Sequence, residues 1–341
     1  MSEQNLMQAA LLTGYGDPLV IQSVQRPTPG VNEVLVKLEA SGVCFTDVHI
    51  WRGEHPSPNP LPLIMGHEGV GRIVEVGAGG GRLKVGDRVG IGYVFSACGQ
   101  CRECLTGGEN YCSRFDATGY SVNGCFAQYV CLRQEWANKI PEGIDPIEAA
   151  PLMCAGAAAY ASYKKTGIQA GQTIAIFGLG GLGQYAIQIA KLSGARVIAV
   201  DISKEKLATA KALGADETVV ADAQAGEAIK ALGGADGCIN FAPVGHTWPL
   251  MLAACNPRAK IVLTAVPSDQ LAFYAHEVIS RGLQVIGSSA SNRQEMNEML
   301  SLAATGKIKG VINVRPFSAI NGALSDLVSG TVEGRTVLDL R

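Results

Sequence analysis

The stretch that decides the fold runs from Thr173 to Asp201 and reads TIAIF, GLGGLG, QYAIQIAKLSGA and RVIAVD in succession. TIAIF and RVIAVD are short apolar runs rich in β-branched residues, which is typical of buried strands. The segment between them has apolar residues at helical spacing, at Leu182, Ala186, Ile189 and Ala190. The pattern therefore predicts a strand, a tight turn, a helix and a second strand.

The turn itself indicates a ligand. Gly178, Gly180 and Gly183 fit GxGxxG, with Gly181 and Leu182 between them. These glycines permit a tight turn, close approach of a pyrophosphate and close packing of helix on strand. Free amides at the helix start then face the anion.

Asp201 ends the second strand. An acid at this position accepts hydrogen bonds from the ribose hydroxyls of a dinucleotide. Since a carboxylate there repels a 2′-phosphate, the stretch predicts a site for NAD rather than NADP. The alternative is a glycine-rich turn in an unrelated α/β protein.

Length and charge indicate the number of domains and exclude some classes of partner. The 341 residues predict about two domains. A net charge of −2, without any run of Lys or Arg, excludes a basic nucleic-acid or membrane surface. The first residues lack the pattern of a secretion signal, and no apolar run reaches about 20 residues. We therefore expect a cytoplasmic protein with no nucleic-acid or membrane partner.

The first third of the chain predicts a mostly β domain. EVLVKLEA from Glu33 alternates apolar and charged residues, and the segments Gly69 to Gly79 and Lys84 to Ile91 are also strand-like. After Ala150, helices and strands alternate, which predicts a parallel sheet. Further strands are expected at Thr218 to Val220 and near Cys238, Lys260 and Leu283, making about six.

The C-terminal part has two clear signals. Asn292 followed three residues later by Glu295 predicts a capping box at the start of a helix that stops near Gly306. GRTVLDL, from Gly334 to Leu340, predicts one more strand.

Four clustered cysteines predict a metal site. The segment CGQCRECLTGGENYC contains them within fifteen residues, at Cys98, Cys101, Cys104 and Cys112. Four thiolates form a closed tetrahedral zinc site, which is structural because no coordination position is left open. The main alternative is an iron–sulfur cluster, but its usual spacing and following Pro differ from Cys112-Ser113.

A second set of metal-ligand types is dispersed: Cys44 in GVCFTDVH, His67 and Glu68 in GHEGVG, and Cys154 in PLMCAG. Two thiolates and one imidazole balance the charge of Zn²⁺ and leave a fourth position open for water or substrate. Each residue alone is more often structural, so only the combination favours a catalytic metal.

In these motifs, together with VGDRVG, GLGGLG and GRTVLDL, the sequence resembles the zinc-dependent medium-chain alcohol dehydrogenases over nearly its whole length. The resemblance implies an α/β plus β fold, in which a GroES-like catalytic domain is joined to a Rossmann domain and the active site lies in the cleft between them. It places the catalytic domain with its zinc loop at 1–154, the NAD-binding domain at 155–290 and a C-terminal return at 291–341. It also implies a homotetramer.

The resemblance assigns roles at the catalytic site. Cys44, His67 and Cys154 would hold a zinc that acts as a Lewis acid on the alcohol. Thr46 would bond the substrate oxygen, and His49 would pass its proton to solvent. Asp47 would orient His67, unless it is a solvent-facing turn residue, and Glu68 is either a conditional ligand or a buried neighbour of the metal.

On the cofactor side, the resemblance places Leu182 near the nicotinamide, Lys206 with Asp201 at the adenosine ribose, and Arg335 at the pyrophosphate. Trp51 and Tyr93 are candidates for the substrate pocket, with core aromatics as the alternative. Departures from the common family pattern at Met65, at Gly90 to Tyr93 and at Ala158 touch no metal ligand. They therefore bear on substrate preference and leave the reaction type intact.

The function predicted is reversible hydride transfer between a primary or secondary alcohol and NAD, with two zinc ions per chain and an aldehyde or ketone as product. One alternative is a polyol or amino-alcohol dehydrogenase of the same superfamily, which differs only in pocket shape. Another is a binding or structural protein that keeps this fold without catalysis. A nucleic-acid zinc module is excluded by the charge.

Overall fold

The computed structural model describes residues 5–267 and 269–341. Their strands, in chain order, are β1 (Leu6–Leu12), β2 (Val20–Gln25), β3 (Glu33–Val43), β4 (Leu63–Ile64), β5 (Glu68–Val76), β6 (Arg88–Ile91), β7 (Val94–Ser96), β8 (Asp116–Ala117), β9 (Tyr129–Arg133), β10 (Asn138–Lys139), β11 (Thr173–Phe177), β12 (Arg196–Asp201), β13 (Glu217–Val220), β14 (Ala235–Asn240), β15 (Cys255–Leu263), β16 (Gln284–Gly287), β17 (Ile312–Pro316) and β18 (Arg335–Asp339).

The α-helices of the same residues are α1 (Phe45–Trp51), α2 (Arg102–Leu105), α3 (Pro146–Ala149), α4 (Ala155–Thr166), α5 (Gly181–Leu192), α6 (Lys204–Ala212), α7 (Ala225–Ala231), α8 (Thr247–Ala254), α9 (Ala275–Arg281), α10 (Arg293–Ala303) and α11 (Ile320–Ser329). None of these helices is long and apolar enough to cross a bilayer.

The chain forms two compact units. The first contains the described residues up to Ala157 together with Ala290–Arg341, and the second contains Ala158–Ser289. These divisions fall three residues after the boundary expected at 154 and one residue before the boundary expected at 290.

The first unit is built on a seven-stranded sheet with the order β10-β6-β5-β3-β18-β17, in which β9 also pairs with β3. The central strand β3 buries Val34, Val36, Leu38 and Ala40 and exposes Lys37, as its alternating sequence predicts. β18 lies antiparallel beside β3, with Thr336 opposite Val43. The last strand of the chain therefore completes the sheet of the first unit.

The second unit is a six-stranded parallel sheet in the order β13-β12-β11-β14-β15-β16. Counted within the unit, this is the 3-2-1-4-5-6 order of a Rossmann domain. The predicted strands β11 and β12 are confirmed residue for residue. The order of the strands reverses between β11 and β14, and in such sheets a ligand binds at the carboxyl ends of the strands on either side of this point.

Two local predictions concern single elements. The capping box is confirmed, since Asn292 Oδ1 accepts from the Glu295 amide and Glu295 Oε2 accepts from the Asn292 amide. α10 ends at Ala303, just before Gly306. The predicted fold class, a β-rich GroES-like unit plus a doubly wound α/β unit, is confirmed.

Candidate functional site

Sheet register brings the dispersed ligand types to one place. Cys44 follows the end of β3, and His67 precedes the start of β5. Because these strands are antiparallel and Gly42 pairs with Glu68, the end of one strand and the start of the other lie side by side. Residues 23 positions apart in sequence thus become neighbours.

The resulting cluster fits a metal ion. Donor atoms of Cys44, His67, Glu68 and Cys154 all lie within 4.8 Å of one another. The two sulfurs of Cys44 and Cys154 are 3.8 Å apart, which is the separation of about 3.8 Å that Zn–S bonds of about 2.3 Å give in a tetrahedron. His67 Nε2 is buried without a hydrogen-bond partner among the described residues. Buried polar atoms normally have a hydrogen-bond partner, and a bound metal ion would provide the missing partner of this nitrogen.

The protonation of the two thiols favours cation binding. The hydrogen bond from Cys154 lowers the pKa of Cys44 well below its usual value, and His67 and Arg335 add to this against the effect of burial. The same hydrogen bond and burial raise the pKa of Cys154. Of the two thiols, Cys44 therefore loses its proton more readily, and the thiolate is the form that a metal ion binds.

Asp47 contacts two residues of the cluster. The side chain is fully buried, and its Oδ1 lies 3.1 Å from His67 Nδ1 while its Oδ2 accepts from the Cys44 amide at 2.8 Å. Burial alone lowers the pKa of His67, but the charge and hydrogen bond of Asp47 outweigh it and raise that pKa. With Nδ1 held by the carboxylate, Nε2 points to the cluster, which is a common arrangement around metal-bound imidazole.

Glu68 and Arg335 form a buried ion pair beside the cluster. Arg335 Nη2 donates to Glu68 Oε1, and the two side chains are 6% and 0% exposed. Burial raises the pKa of Glu68 to about 7 in spite of Arg335. The other carboxylate oxygen, Oε2, is buried without a partner among the described residues, so it is free to meet a cation.

The structure places the other predicted residues of this unit as follows. Thr46 Oγ1 lies 3.8 Å from Cys44 Sγ, and His49 is one turn further along α1 and partly exposed. The Tyr93 ring packs edge-on against the His67 ring at 5.3 Å. Trp51 instead packs against an apolar cluster of the unit and donates to the Asp17 carbonyl.

The four-cysteine loop forms a second metal-binding cluster. Its four sulfurs, those of Cys98, Cys101, Cys104 and Cys112, lie within 4.8 Å of one another. Cys98 Sγ and Cys104 Sγ are 3.8 Å apart, again the tetrahedral zinc separation. Amides of Gln100 and Cys101 donate to Cys98 and lower its pKa to about 5. Four sulfurs would complete the coordination shell of a zinc ion, so the cluster fits a structural rather than a catalytic metal.

The glycine turn leaves room for an anion. A Cβ built on Gly180 meets no atom within 4 Å, whereas one on Gly183 would lie 2.2 Å from the Gly178 carbonyl oxygen. Gly180 therefore borders open space, and Gly183 packs helix on strand. Asp201 is buried, and its Oδ2 accepts from the Leu179 amide at 2.7 Å, so the acid also holds the turn in shape.

Sequence reasoning missed several partners of the site. The pairing of Arg335 with Glu68 joins residues 267 positions apart, and no local signal marks it. His49 Nδ1 contacts Glu54 Oε2 at 2.5 Å. Here the spacing of five residues, with Gly53 between them, was a signal that could have been used. A third missed contact ties Arg293 to Glu109 of the cysteine loop.

A Rossmann unit, an open Cys₂His metal cluster and a closed Cys₄ cluster together define a zinc- and dinucleotide-dependent oxidoreductase. The chain matches the alcohol dehydrogenase GroES-like domain over residues 30–142 and the zinc-binding dehydrogenase domain over residues 181–305. It belongs to the zinc-dependent alcohol dehydrogenase family, as its motifs predicted.

Relatives match along the whole chain. An alcohol dehydrogenase of Moraxella sp. (strain TAE123) is 40% identical, covering 98% of this chain and 99% of its own. One of Geobacillus stearothermophilus is also 40% identical, over 97% and 99%. The solved alcohol dehydrogenase of the archaeon Aeropyrum pernix superposes with a TM-score of 0.90 at 32% identity, covering 97% and 99%. The chain is thus an enzyme whose cofactors are zinc and a nicotinamide dinucleotide and whose substrates are small molecules.

Proposed function

We propose that this enzyme oxidises primary or secondary alcohols with NAD at a zinc held by Cys44, His67 and Cys154. The observation that carries the proposal is the buried, unpartnered Nε2 of His67 beside two sulfurs at zinc-binding separation. When bound, zinc supplies Lewis-acid polarisation of the substrate oxygen. Glu68 is proposed as a ligand only while the fourth position is vacant, because its free Oε2 lies within reach of the cluster.

The remaining steps belong to residues of α1. Thr46 is at the start of this helix and close to Cys44, so its hydroxyl can take up the proton of the substrate hydroxyl while it passes its own proton on to His49. His49 is three positions further on, which places it on the same face of the helix. Its side chain is 27% exposed, so it can release the proton to water. We assign both as the relay and Asp47 as the residue that orients His67.

The proposed cofactor-binding residues lie in the second unit. The open space at Gly180 would receive the pyrophosphate, with Gly178, Gly181 and Gly183 shaping the turn, and the Asp201 carboxylate would bind the ribose hydroxyls and disfavour NADP. Lys206 lies in the first turn of α6, just beyond Asp201, and would accompany it at the adenosine ribose. Leu182 is the second residue of α5 and would pack near the nicotinamide.

Three further assignments are supported by fewer contacts in the structure. Tyr93 is proposed to line the substrate pocket because its ring touches that of His67. Trp51 is proposed there only from the family resemblance, since its contacts are with the apolar cluster described above. Arg335 at the pyrophosphate likewise stays a prediction, with its Nη2 bound to Glu68 and its Nε buried without a partner among the described residues.

We also propose a cytoplasmic homotetramer. β16 is the last strand of its sheet, and apolar side chains near it are strongly exposed, among them Phe273, Tyr274, Ile279 and Val285. An exposed sheet edge with apolar neighbours is a surface that proteins normally cover. Light scattering should give about four times the mass of one chain, and a monomer would overturn this proposal.

Metal analysis of purified variants tests the catalytic assignment. The wild type should contain about two zinc ions per chain, and Cys44→Ser about one, with turnover lost and NAD binding retained. Cys131→Ser is the control, because this half-buried thiol lies in β9 and belongs to neither cluster. If Cys44→Ser keeps both its second zinc and its activity, the catalytic-zinc assignment is wrong.

A further inference from the structure

His49 has a carboxylate partner that belongs to neither metal cluster. Its Nδ1 lies 2.5 Å from Glu54 Oε2, and the two side chains are 27% and 46% exposed. His49 lies in the last turn of α1, and Glu54 lies three residues beyond the end of the helix at Trp51. The pair thus stands at the outer end of the proposed proton relay.

The backbone builds this contact. Gly53 has a left-handed φ of 71°, and its amide donates to the Ile50 carbonyl at 2.9 Å. The next amide, that of Glu54, donates back to the His49 carbonyl at 3.0 Å. A Cβ on Gly53 would lie 3.0 Å from Tyr15 Cγ, so the turn is held from outside as well. The chain therefore folds back over α1 and sets Glu54 beside His49.

We propose that Glu54 is a positioning residue for proton release: it accepts from Nδ1–H of His49 and so keeps Nε2 free to receive the proton coming from Thr46. The inference rests on the proposed function, in which His49 ends the relay. A neutral imidazole has one donor and one acceptor nitrogen, and the bond made by one nitrogen decides the role of the other. Without this contact the neutral imidazole would be a mixture of two tautomers. Only the tautomer with its proton on Nδ1 can accept a proton at Nε2.

The groups around the pair keep Glu54 ionised. The hydrogen bond with His49 lowers the pKa of Glu54, and Arg52 lowers it further, with Arg52 Nη1 3.6 Å from the second carboxylate oxygen. The other close rings are His55, at 5.2 Å from the His49 ring, and Phe45, at 5.0 Å. Glu54 is therefore an acceptor, not a donor, throughout the neutral pH range.

The tautomer of His49 is the direct readout. The chain has five histidines, so ¹⁵N spectra of histidine-labelled full-length enzyme are tractable, and the His49 signals are those that vanish in His49→Gln. Wild type should show His49 protonated on Nδ1. Glu54→Ala should give a mixture of both tautomers, while Glu54→Gln, whose amide oxygen still accepts, should stay close to wild type.

Turnover provides the second readout. Glu54→Ala should lower kcat for alcohol oxidation by about 3- to 30-fold without changing KM, a part of the roughly 10²–10⁴-fold that positioned acid–base groups contribute. The loss should shrink as the pH falls and the imidazole becomes protonated, because both nitrogens of an imidazolium carry a proton and no tautomer is left for Glu54 to select. Glu135→Ala is the matched control, because Glu135 pairs with Arg133 at 3.1 Å and is 42% exposed, and it should leave kcat unchanged.

A double variant separates this inference from the function it rests on. In a His49→Gln background, Glu54→Ala should cause no further loss, since Glu54 acts only through the imidazole. If His49→Gln itself leaves kcat and its pH profile unchanged, the relay proposal fails. If His49→Gln slows turnover but Glu54→Ala changes neither tautomer nor kcat, or slows both backgrounds equally, the role of Glu54 is refuted while the relay stands.

Discussion

Replacing Gly183 by Ala should disturb the nucleotide-binding unit through packing alone. The new Cβ would lie 2.2 Å from the Gly178 carbonyl oxygen and 3.1 Å from its carbon. Both are backbone atoms, so α5 has to move away from β11. Overpacking of this kind costs about 1–3 kcal/mol, and the better helix propensity of Ala offsets about 1 kcal/mol. The two effects leave a net loss of about 0–2 kcal/mol, and because both contacts are with backbone atoms we expect the upper end, which corresponds to a melting temperature roughly 4–8 °C lower.

Gly180→Ala is the matched control, with the opposite expectation. Gly180 has a φ of −69°, which Ala adopts freely, and its Cβ would meet nothing within 4 Å. The melting temperature should therefore stay at the wild-type value. The methyl group would instead occupy the space for the pyrophosphate and weaken NADH binding by about 10- to 100-fold, or roughly 1.4–2.8 kcal/mol.

Scanning calorimetry and a fluorescence titration with NADH check the two variants side by side. A Gly183→Ala protein as stable as wild type would refute the packing argument. A Gly180→Ala protein that binds NADH normally would refute the assignment of the open space to the cofactor.

Three further changes test other parts of the enzyme. Asp201→Gly should shift the kcat/KM ratio from NAD toward NADP, and it should also cost about 1 kcal/mol of stability because the Leu179 amide loses its acceptor; an unchanged ratio contradicts the ribose role. Glu109→Gln should cost about 1 kcal/mol at pH 7 by weakening the contact with Arg293. Burial raises the pKa of Glu109, but Arg293 outweighs it and the pKa is lowered, so in urea titrations the difference from wild type should vanish as the pH falls below about 4. Tyr93→Ala should raise the relative kcat/KM for bulky secondary alcohols by about 10-fold, and an unaltered substrate ranking would remove Tyr93 from the pocket.

Much of the second unit could be predicted because its signals are local. The strand, turn, helix and strand from Thr173 to Asp201 each carry their own period of apolar residues. Glycines at fixed positions mark the turn. The six strands and the parallel sheet that they form were predicted from the alternation of helix and strand patterns along the chain. The capping box at Asn292 needed only four residues of sequence.

The catalytic cluster depended on more than local pattern. Cys44, His67 and Cys154 are brought together by the antiparallel register of β3 with β5 and by the turn before α4. Spacing along the chain does not encode that register, so family resemblance had to supply it. The contact of Arg335 with Glu68 arises only because β18 inserts beside β3, which no residue near either position announces.

Asp201 and Glu54 each make a contact in the fold that their sequence pattern does not predict. The sequence predicted a ribose ligand at Asp201, yet the same carboxylate also holds the Leu179 amide, because a buried acid has spare lone pairs. Glu54 reads as an ordinary surface acid in a loop. Its position beside His49 follows from the left-handed turn at Gly53, a backbone feature that sequence permits without requiring.

The most direct test of the account is absorbance at 340 nm with NAD and a panel of primary, secondary and aromatic alcohols, recorded before and after dialysis against a zinc chelator. We expect NADH formation with at least one class of alcohol, and this activity should be lost on chelation and restored by zinc. No reduction of NAD by any alcohol, or turnover that survives removal of all the zinc, would contradict it.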